Sequence, residues 1–126
     1  KAAESAGATV KIVAPKLGGG KLSNGKILAA DGQLAGTPST VFDAVAVVLS
    51  EEAGKRLSRD GAAVDFVRDA WGHLKAIASD DGGKLVLKAG QVGKDAGVVD
   101  AADIKAFIAA AKTRQWTRER KLRMLA

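Results

Sequence analysis

The stretch that decides the fold is Phe42–Leu49, with the sequence FDAVAVVL. It is a short, almost uninterrupted apolar run rich in β-branched valine. Such a run is typical of a strand covered on both faces in a parallel sheet. Ser50 follows as a helix N-cap, and Glu51 and Glu52 would interact favourably with the positive end of the helix dipole. A strand that leads directly into a capped helix predicts an α/β fold.

Upstream of this unit the sequence predicts one helix end, one strand and one hairpin. Lys1–Ala6 has the pattern of the last turns of a helix, with Gly7 at the C′ position. Thr9–Ala14 predicts the first strand, which ends at a proline. Lys26–Leu34 predicts a hairpin that turns at Asp31-Gly32.

Downstream, strand and helix patterns alternate. Asp60 is the predicted cap of a helix over Ala62–Leu74, and a strand follows over Lys75–Ser79. Asp80–Gly83 predicts a turn, and Asp100–Lys112 predicts a capped helix. This order favours a flavodoxin-like doubly wound, mainly parallel sheet with an inserted hairpin. The apolar positions of the helix capped by Asp60 would face the sheet: Ala63, Val67, Ala70, Trp71 and Leu74.

The composition limits the classes of protein that fit. The chain has 126 residues, a length that predicts a single domain over 1–126. It contains no cysteine, which excludes disulfides, thiolate metal sites and a cysteine nucleophile. A reducing cytoplasm is the simplest location. No apolar run of about eighteen residues is present, so the sequence predicts no membrane span.

Most of the net charge of +6 lies in a basic C-terminal tail, residues 112–126. We interpret this tail as docking on acidic protein surface or as solvated, rather than as a nucleic-acid site. Trp116 is its only aromatic residue, too little for a stacking platform. We expect Trp116 to pack on the domain body or on a neighbouring subunit, with the arginines exposed. The tail contains one acidic residue and six cationic ones: Lys112, Arg114, Arg118, Arg120, Lys121 and Arg123.

The loop Gly20–Lys26 nearly matches a phosphate-binding P-loop. A P-loop carries Ser or Thr after its lysine to hold magnesium, and continues into a helix whose N-terminus faces the phosphates. Here Ile27 follows, and a hairpin is predicted where the helix would be. A flexible surface loop is the favoured interpretation.

Two acids, Asp80 and Asp81, follow the strand predicted over Lys75–Ser79, at the end where α/β folds place their sites. They have the chemistry to hold magnesium or activate water, but the two glycines after them favour a solvated turn. His73 is the only histidine, and its place beside Gly72 indicates a helix end rather than a triad. We therefore predict no catalytic, cofactor-binding or metal-binding residue in this chain.

Four stretches together resemble the C-terminal domain of large-subunit haem catalases. They are Gly7–Gly36, Ala35–Val48 (AGTPSTVFDAVAVV), Asp69–Ala78 (DAWGHLKAIA) and Ala109–Lys121 (AAAKTRQWTRERK). The resemblance depends on their order and spacing and covers nearly the whole chain. That domain is in turn similar to the class I glutamine amidotransferase and PfpI protease superfamily, which has a flavodoxin-like sheet.

The hydrolases of that superfamily carry a cysteine on a sharp elbow, where this sequence has Ser79-Asp80. Serine without a nearby base is a poor replacement. The resemblance therefore implies a non-catalytic accessory domain that contributes stability, assembly or substrate access. It implies a parent homotetramer that disproportionates hydrogen peroxide, with haem and the catalytic residues in a separate core domain. The alternatives are a stand-alone PfpI-like hydrolase or deglycase that uses Ser79 or Asp80, and a nucleic-acid adaptor that uses the tail.

The predicted sheet is incomplete at its start. We expect the domain to lack the first strand and most of the first helix of a flavodoxin-like fold. The absent strand would lie between Thr9–Ala14 and Phe42–Leu49, and an unfilled gap would leave backbone groups of both unpaired. Another piece of chain is expected to supply it, unless the strands rearrange or swap. Direct pairing of these two stretches in a compact monomer would contradict this expectation.

Overall fold

The computed structural model describes residues 1–16 and 18–125, without the side chains of the last two. The chain divides into two compact units, Lys1–Pro38 and Ser39–Ala126. Within the described part, no helix is both long and apolar enough to cross a bilayer.

The first unit begins with a short helix, α1, over Ala2–Ser5. The N–H of Gly7 donates to the carbonyl of Glu4 and that of Ala8 to Ala3, each at 3.0 Å. Gly7 has a φ of +91°, in the left-handed region that glycine adopts without steric cost. The predicted helix end at Gly7 is confirmed.

Two short strand pairs complete the first unit. β1 (Val13–Ala14) pairs in parallel with β4 (Gly32–Gln33), and β2 (Gly20–Lys21) pairs antiparallel with β3 (Ile27–Leu28). β1 therefore pairs with a strand of the first unit and not with Phe42–Leu49. The absence of a first flavodoxin-like strand between these two stretches stays a prediction.

The hairpin predicted about Asp31-Gly32 is wrong. The turn lies earlier, before β3, where the N–H of Leu22 donates to the Lys26 carbonyl at 2.8 Å and Gly25 has a φ of +82°. An Asn-Gly pair supplies this turn. Asp31 instead accepts the N–H of Ile12 on its carboxylate at 2.7 Å, which holds the chain beside β1.

The second unit contains a parallel three-stranded sheet in the order β5–β6–β7. β6, in the centre, is buried at all four positions. The strands are β5 (Ala44–Val47), β6 (Ala76–Ser79) and β7 (Val98–Asp100). The helices are α2 (Glu51–Leu57), α3 (Gly61–Gly72), α4 (Asp81–Ala89), α5 (Ile104–Ala111) and α6 (Glu119–Leu125).

The N-caps of α2 and α3 lie where the sequence predicted them. The Ser50 hydroxyl accepts the N–H of Ala53 at 3.1 Å. The Asp60 carboxylate accepts the N–H of Ala62 at 2.9 Å and that of Ala63 at 3.4 Å. The apolar positions predicted for the inner side of this helical segment are all buried: Ala63, Val67, Ala70, Trp71 and Leu74. Local capping and 3.6-residue periodicity were sufficient here.

Two later predictions are wrong. The turn predicted over Asp80–Gly83 is the start of α4, because Asp80 caps a helix in which both glycines are packed. The helix predicted from Asp100 begins later, capped by Asp103, whose carboxylate accepts the N–H of Ala106 at 3.1 Å. Asp100 ends β7 and caps a local turn. Both Asp100 and Asp103 have the chemistry of a helix cap, and the helix uses the second of them.

Left-handed residues end α3 and α4. Leu74 has a φ of 63° and Gln91 a φ of 58°. In each case the next residue donates its N–H five residues back, Lys75 to Ala70 and Val92 to Leu87, both at 3.0 Å. Both ends are therefore Schellman motifs with a non-glycine residue at the position that glycine usually fills. The first of these motifs aims the chain from α3 directly into β6.

Candidate functional site

Asp80, at the carboxyl end of β6, holds three elements together. Its Oδ1 accepts the N–H of Gly83 at 2.7 Å and caps α4. The N–H of Leu49, just after β5, points between both oxygens, 3.1 Å from Oδ1 and 3.0 Å from Oδ2. Asp80 has extended backbone angles, φ −91° and ψ −171°, without the strain of a nucleophile elbow. Both carboxylate oxygens thus serve backbone donors.

The structure does not bring together the triad considered from sequence. Ser79 is 2% exposed within β6. His73 precedes β6 whereas Asp80 follows it, so the two lie at opposite ends of that strand. The His73 ring is exposed, and its Nδ1 lies 2.9 Å from the Asp69 carbonyl. His73 is therefore not placed to act as a base for Ser79 or for Asp80.

The exposed acids near this edge pair with a lysine. The Lys84 ammonium lies 3.3 Å from Asp100 and 3.5 Å from Asp81. The hydrogen bond to Asp100 raises the pKa of Lys84. The N–H of Ala102 and then Lys84 lower the pKa of Asp100. Across the described residues, no three His, Cys, Asp or Glu side chains are grouped closely enough to hold a metal ion.

Three glycines close the space around Asp80. A Cβ on Gly83 would lie 2.0 Å from the Val47 carbonyl oxygen, and one on Gly82 would lie 2.1 Å from that of Leu49. A Cβ on Gly54, in α2, would lie 2.2 Å from the carbonyl oxygen of Gly82. α2, α4 and the loop after β5 therefore meet backbone against backbone, which leaves no room for a substrate between them.

The P-loop candidate forms the β2–β3 hairpin. The N–H of Lys26 donates to Asn24 Oδ1 at 3.0 Å, inside the turn. Ile27 enters β3 instead of a helix. Since no helix N-terminus follows Lys26, the loop lacks the anion-binding element that a P-loop requires.

A network that sequence analysis missed lies at the opposite, amino end of β6. Arg118 is 1% exposed, and its guanidinium carbon lies 3.9 Å from the centre of the Trp71 ring system. Its Nε and Nη2 donate to the two carboxylate oxygens of Asp95 at 2.8 and 3.1 Å. Its Nη1 donates to the carbonyls of Trp71 and Lys75 at 3.1 and 3.0 Å. Arg118 thus links the end of α3, β6 and the loop before β7.

The electrostatics of this pair follow from its geometry. Burial alone would raise the pKa of the Asp95 carboxyl. The hydrogen bond from Arg118 and that from the Gly97 N–H outweigh burial, so the pKa is held below its usual value. A buried, bidentate arginine with its face on an indole is a well-satisfied ion pair. No sequence pattern pairs Asp95 with Arg118; composition grouped Arg118 with solvated cations.

The expectation that Trp116 packs on the domain body with the arginines exposed is wrong. Trp116 is 64% exposed, and Arg118 occupies the buried position. The path of the chain explains the difference. Gln115 donates its N–H to the Leu74 carbonyl at 2.8 Å, and the turn that follows places Arg118, rather than Trp116, over Trp71. The other possibility, contact of Trp116 with a neighbouring subunit, stays a prediction.

Lys75 is a second buried cation near this end of the sheet. It is 4% exposed, and burial followed by the charge of Arg114 lowers its pKa, against the opposing effect of Asp43. Arg114 lies 3.4 Å from the Asp43 carboxylate. The Asp43 carboxylate thus pairs with Arg114 and also acts on Lys75 through its charge.

Comparison with known proteins places this chain in a family. Residues 1–117 match the family model described as the C-terminal domain found in long catalases. The chain is 37% identical over 124 residues to Catalase C of Rhizobium meliloti. The match covers 94% of this chain and 18% of that protein. It is 34% identical over 125 residues to Catalase-B of Dictyostelium discoideum, with the same shares of 94% and 18%.

A third relative covers less of the chain. Catalase HPII of Mycobacterium avium is 39% identical over 90 residues, 69% of this chain and 13% of that protein. The chain therefore spans less than a fifth of the length of the curated relatives it matches. The resemblance drawn from sequence to the C-terminal domain of catalases is confirmed.

Proposed function

Because this chain belongs to the family of C-terminal domains found in long catalases, we propose that it is a non-catalytic accessory domain of such an enzyme. The parent would disproportionate hydrogen peroxide to water and oxygen, as a haem-containing homotetramer in the cytoplasm. The domain would contribute stability, assembly or substrate access.

The observation that carries the non-catalytic assignment is the state of Asp80. With Ser79, it stands where the resemblance to the PfpI superfamily would put the cysteine of the hydrolases. Its carboxylate is engaged by the N–H groups of Leu49 and Gly83. A nucleophile or general base must be free to reach a substrate. The backbone contact of Gly83 with Val47 also closes the adjacent space, so the PfpI-like alternative is not favoured.

Haem does not fit the residues of this domain. The sequence has neither tyrosine nor cysteine to ligate the iron, and its one histidine, His73, is exposed at the end of α3. We assign haem to the core of the parent. Titration of the isolated chain with haem should give no shift of the Soret band; a stoichiometric shift with peroxide turnover would contradict this assignment.

A role in assembly is supported by the edge of the sheet. β5 pairs with β6 on one side, and on its other side no strand is paired to it in the described part of the chain. Ala46 is exposed, and Val48, directly after β5, is 64% exposed. An open apolar edge is normally covered. We propose a flavodoxin-like sheet whose first strand comes from another part of the parent and adds to β5.

The accessory role is tested in Catalase C of Rhizobium meliloti. Three proteins are compared: that enzyme, a form without the residues that match this chain, and a chimera in which this chain replaces them. We expect similar peroxide turnover at low temperature. Heat should inactivate the deleted form fastest, and the chimera should recover the lost resistance. Equal heat resistance of all three, or turnover of small glyoxal or peptide substrates by the isolated chain, would contradict the proposal.

A further inference from the structure

An exposed tryptophan projects from an anchored stretch of backbone. Trp116 is 64% exposed. On one side of it, the N–H of Gln115 donates to the Leu74 carbonyl at 2.8 Å, and on the other side Arg118 is buried. A large apolar side chain left in water gives up the free energy of burial. The C-terminal segment therefore presents the Trp116 indole to solvent from a backbone that is anchored on both sides.

Trp116 shares one side of this segment with two arginines. The 3-10 turn over Trp116–Arg118 continues directly into α6, so residues 116, 120 and 123 follow at helical spacing. Arg120 and Arg123 are both exposed, whereas Arg118 points into the body. We call Trp116, Arg120 and Arg123 the outer face. Arg123 pairs with Glu119, and Arg120 has no carboxylate within 4 Å among the described residues.

We propose that the outer face docks on an acidic surface, with an apolar pocket for Trp116, on the remaining part of the parent protein. The proposal rests on the proposed function. Tryptophan and arginine are the residues most enriched at the energetic centres of protein interfaces. Because the backbone on both sides of Trp116 is anchored, binding has to order little more than its side chain, which limits the entropic cost. The relatives offer a partner in the same polypeptide, since the chain matches only 18% of Catalase C.

The charge around the outer face selects an acidic partner. Lys112 and Lys121 are exposed nearby in sequence. Behind the segment, Lys75 and Arg114 share the one carboxylate of Asp43. Contact between two copies through this face would bring like charges together, which costs free energy. Nucleic acid is disfavoured because a single indole provides no stacking platform.

The test measures access to the outer face by thiol labelling. The chain has no cysteine, so Thr117→Cys places one thiol of this chain beside Trp116, and Asp65→Cys places one on the exposed side of α3 as the control. Each variant is prepared as the isolated chain and as the Catalase C chimera. The maleimide labelling rate of each thiol is read by mass spectrometry of its peptide. In the chimera we expect labelling to slow at least about tenfold at residue 117 and less than about twofold at residue 65.

A charge reversal then identifies the contact. In the chimera, Arg120→Glu should restore fast labelling at residue 117, while the matched reversal Arg56→Glu, at an exposed position of α2, should not. Trp116→Ala should act like Arg120→Glu. In the isolated chain, all three substitutions should leave the melting temperature nearly unchanged, because their side chains are exposed.

The outcomes separate the two proposals. Equal labelling of residue 117 in both proteins overturns the docking surface, even if the chimera regains heat resistance. Protection of residue 117 without regained heat resistance contradicts the accessory role and supports the docking surface. Protection of the isolated chain by an oligonucleotide, without protection in the chimera, would assign the outer face to nucleic acid and overturn the proposal.

Discussion

Arg118 lies over Trp71, with the guanidinium carbon 3.9 Å from the ring centre, and the same guanidinium binds Asp95 through two hydrogen bonds. The residue comes from a segment whose composition suggests a solvated tail. Its position makes the C-terminal segment an integral part of the second unit, because Arg118 also donates to the carbonyls that end α3 and begin β6.

Replacement of Arg118 by methionine should destabilise the chain by about 3–5 kcal/mol, because it leaves the partly buried Asp95 carboxylate and two buried carbonyls without their donor. Arg118→Lys should recover only part of this loss, since an ammonium makes neither the bidentate contact nor the stacking. Urea unfolding of the purified variants provides the measurement. The matched control is Arg123→Met, whose pair with Glu119 is exposed. Equal losses for both positions would contradict the assignment.

Asp95 should make stability depend on acid pH. Its pKa in the folded chain lies below the ordinary value of an aspartate in an unfolded chain. The unfolded chain therefore binds the proton first, and the stabilisation is fully present above that value and is lost as the pH falls through the folded pKa. In Asp95→Asn, the part of the loss of stability at acid pH that comes from this carboxyl should be absent. Asp65→Asn, in an exposed pair with Arg68, should keep the wild-type pH profile between about pH 2 and 5.

Asp80→Ala should cost roughly 2–4 kcal/mol, because α4 loses its N-cap and the partly buried N–H of Leu49 loses its acceptor. Asp81→Ala should change stability by less than about 0.5 kcal/mol, since that side chain is 99% exposed. Thermal unfolding followed by circular dichroism distinguishes the two. Similar small effects at both positions would mean that Asp80 has no structural role.

Gly83→Ala should prevent stable folding or destabilise the chain by more than about 3 kcal/mol, because a Cβ would lie 2.0 Å from the Val47 carbonyl oxygen. Gly61→Ala, at the start of α3, meets no atom within 4 Å and should stabilise the chain by about 0.4–1 kcal/mol. Both are measured by chemical denaturation. Tolerance of alanine at residue 83 would show that α4 is free to move away from β5.

Short-range chemistry accounts for what the sequence predicted well. Ser50 and Asp60 cap helices through bonds to residues two or three positions away. The buried side of α3 follows from a regular apolar spacing. The central strand over Ala76–Ser79 and the edge strand over Ala44–Val47 lie inside the predicted runs. Each of these signals is contained within a few residues.

The misses depend on contacts distant in sequence. Gly82 and Gly83 suggest a turn when the sequence is taken alone. In the fold, other backbone segments approach both residues closely, so a helix packed at this place requires glycine. Arg118 meets Asp95 across 23 positions, and no local pattern encodes that pairing. Asn24-Gly25, in contrast, was a local hairpin signal that the P-loop comparison obscured.

The backbone contact between α2 and α4 has a consequence for dynamics. With Gly54 against Gly82 and Gly83 against Val47, no layer of side chains separates these elements, so neither helix has interdigitated groups over which to slide. They can part only by losing the whole contact at once. Amide protons in the first turn of α4 and in the middle of α2 should therefore exchange with deuterium with one shared opening free energy, as a single cooperative unit.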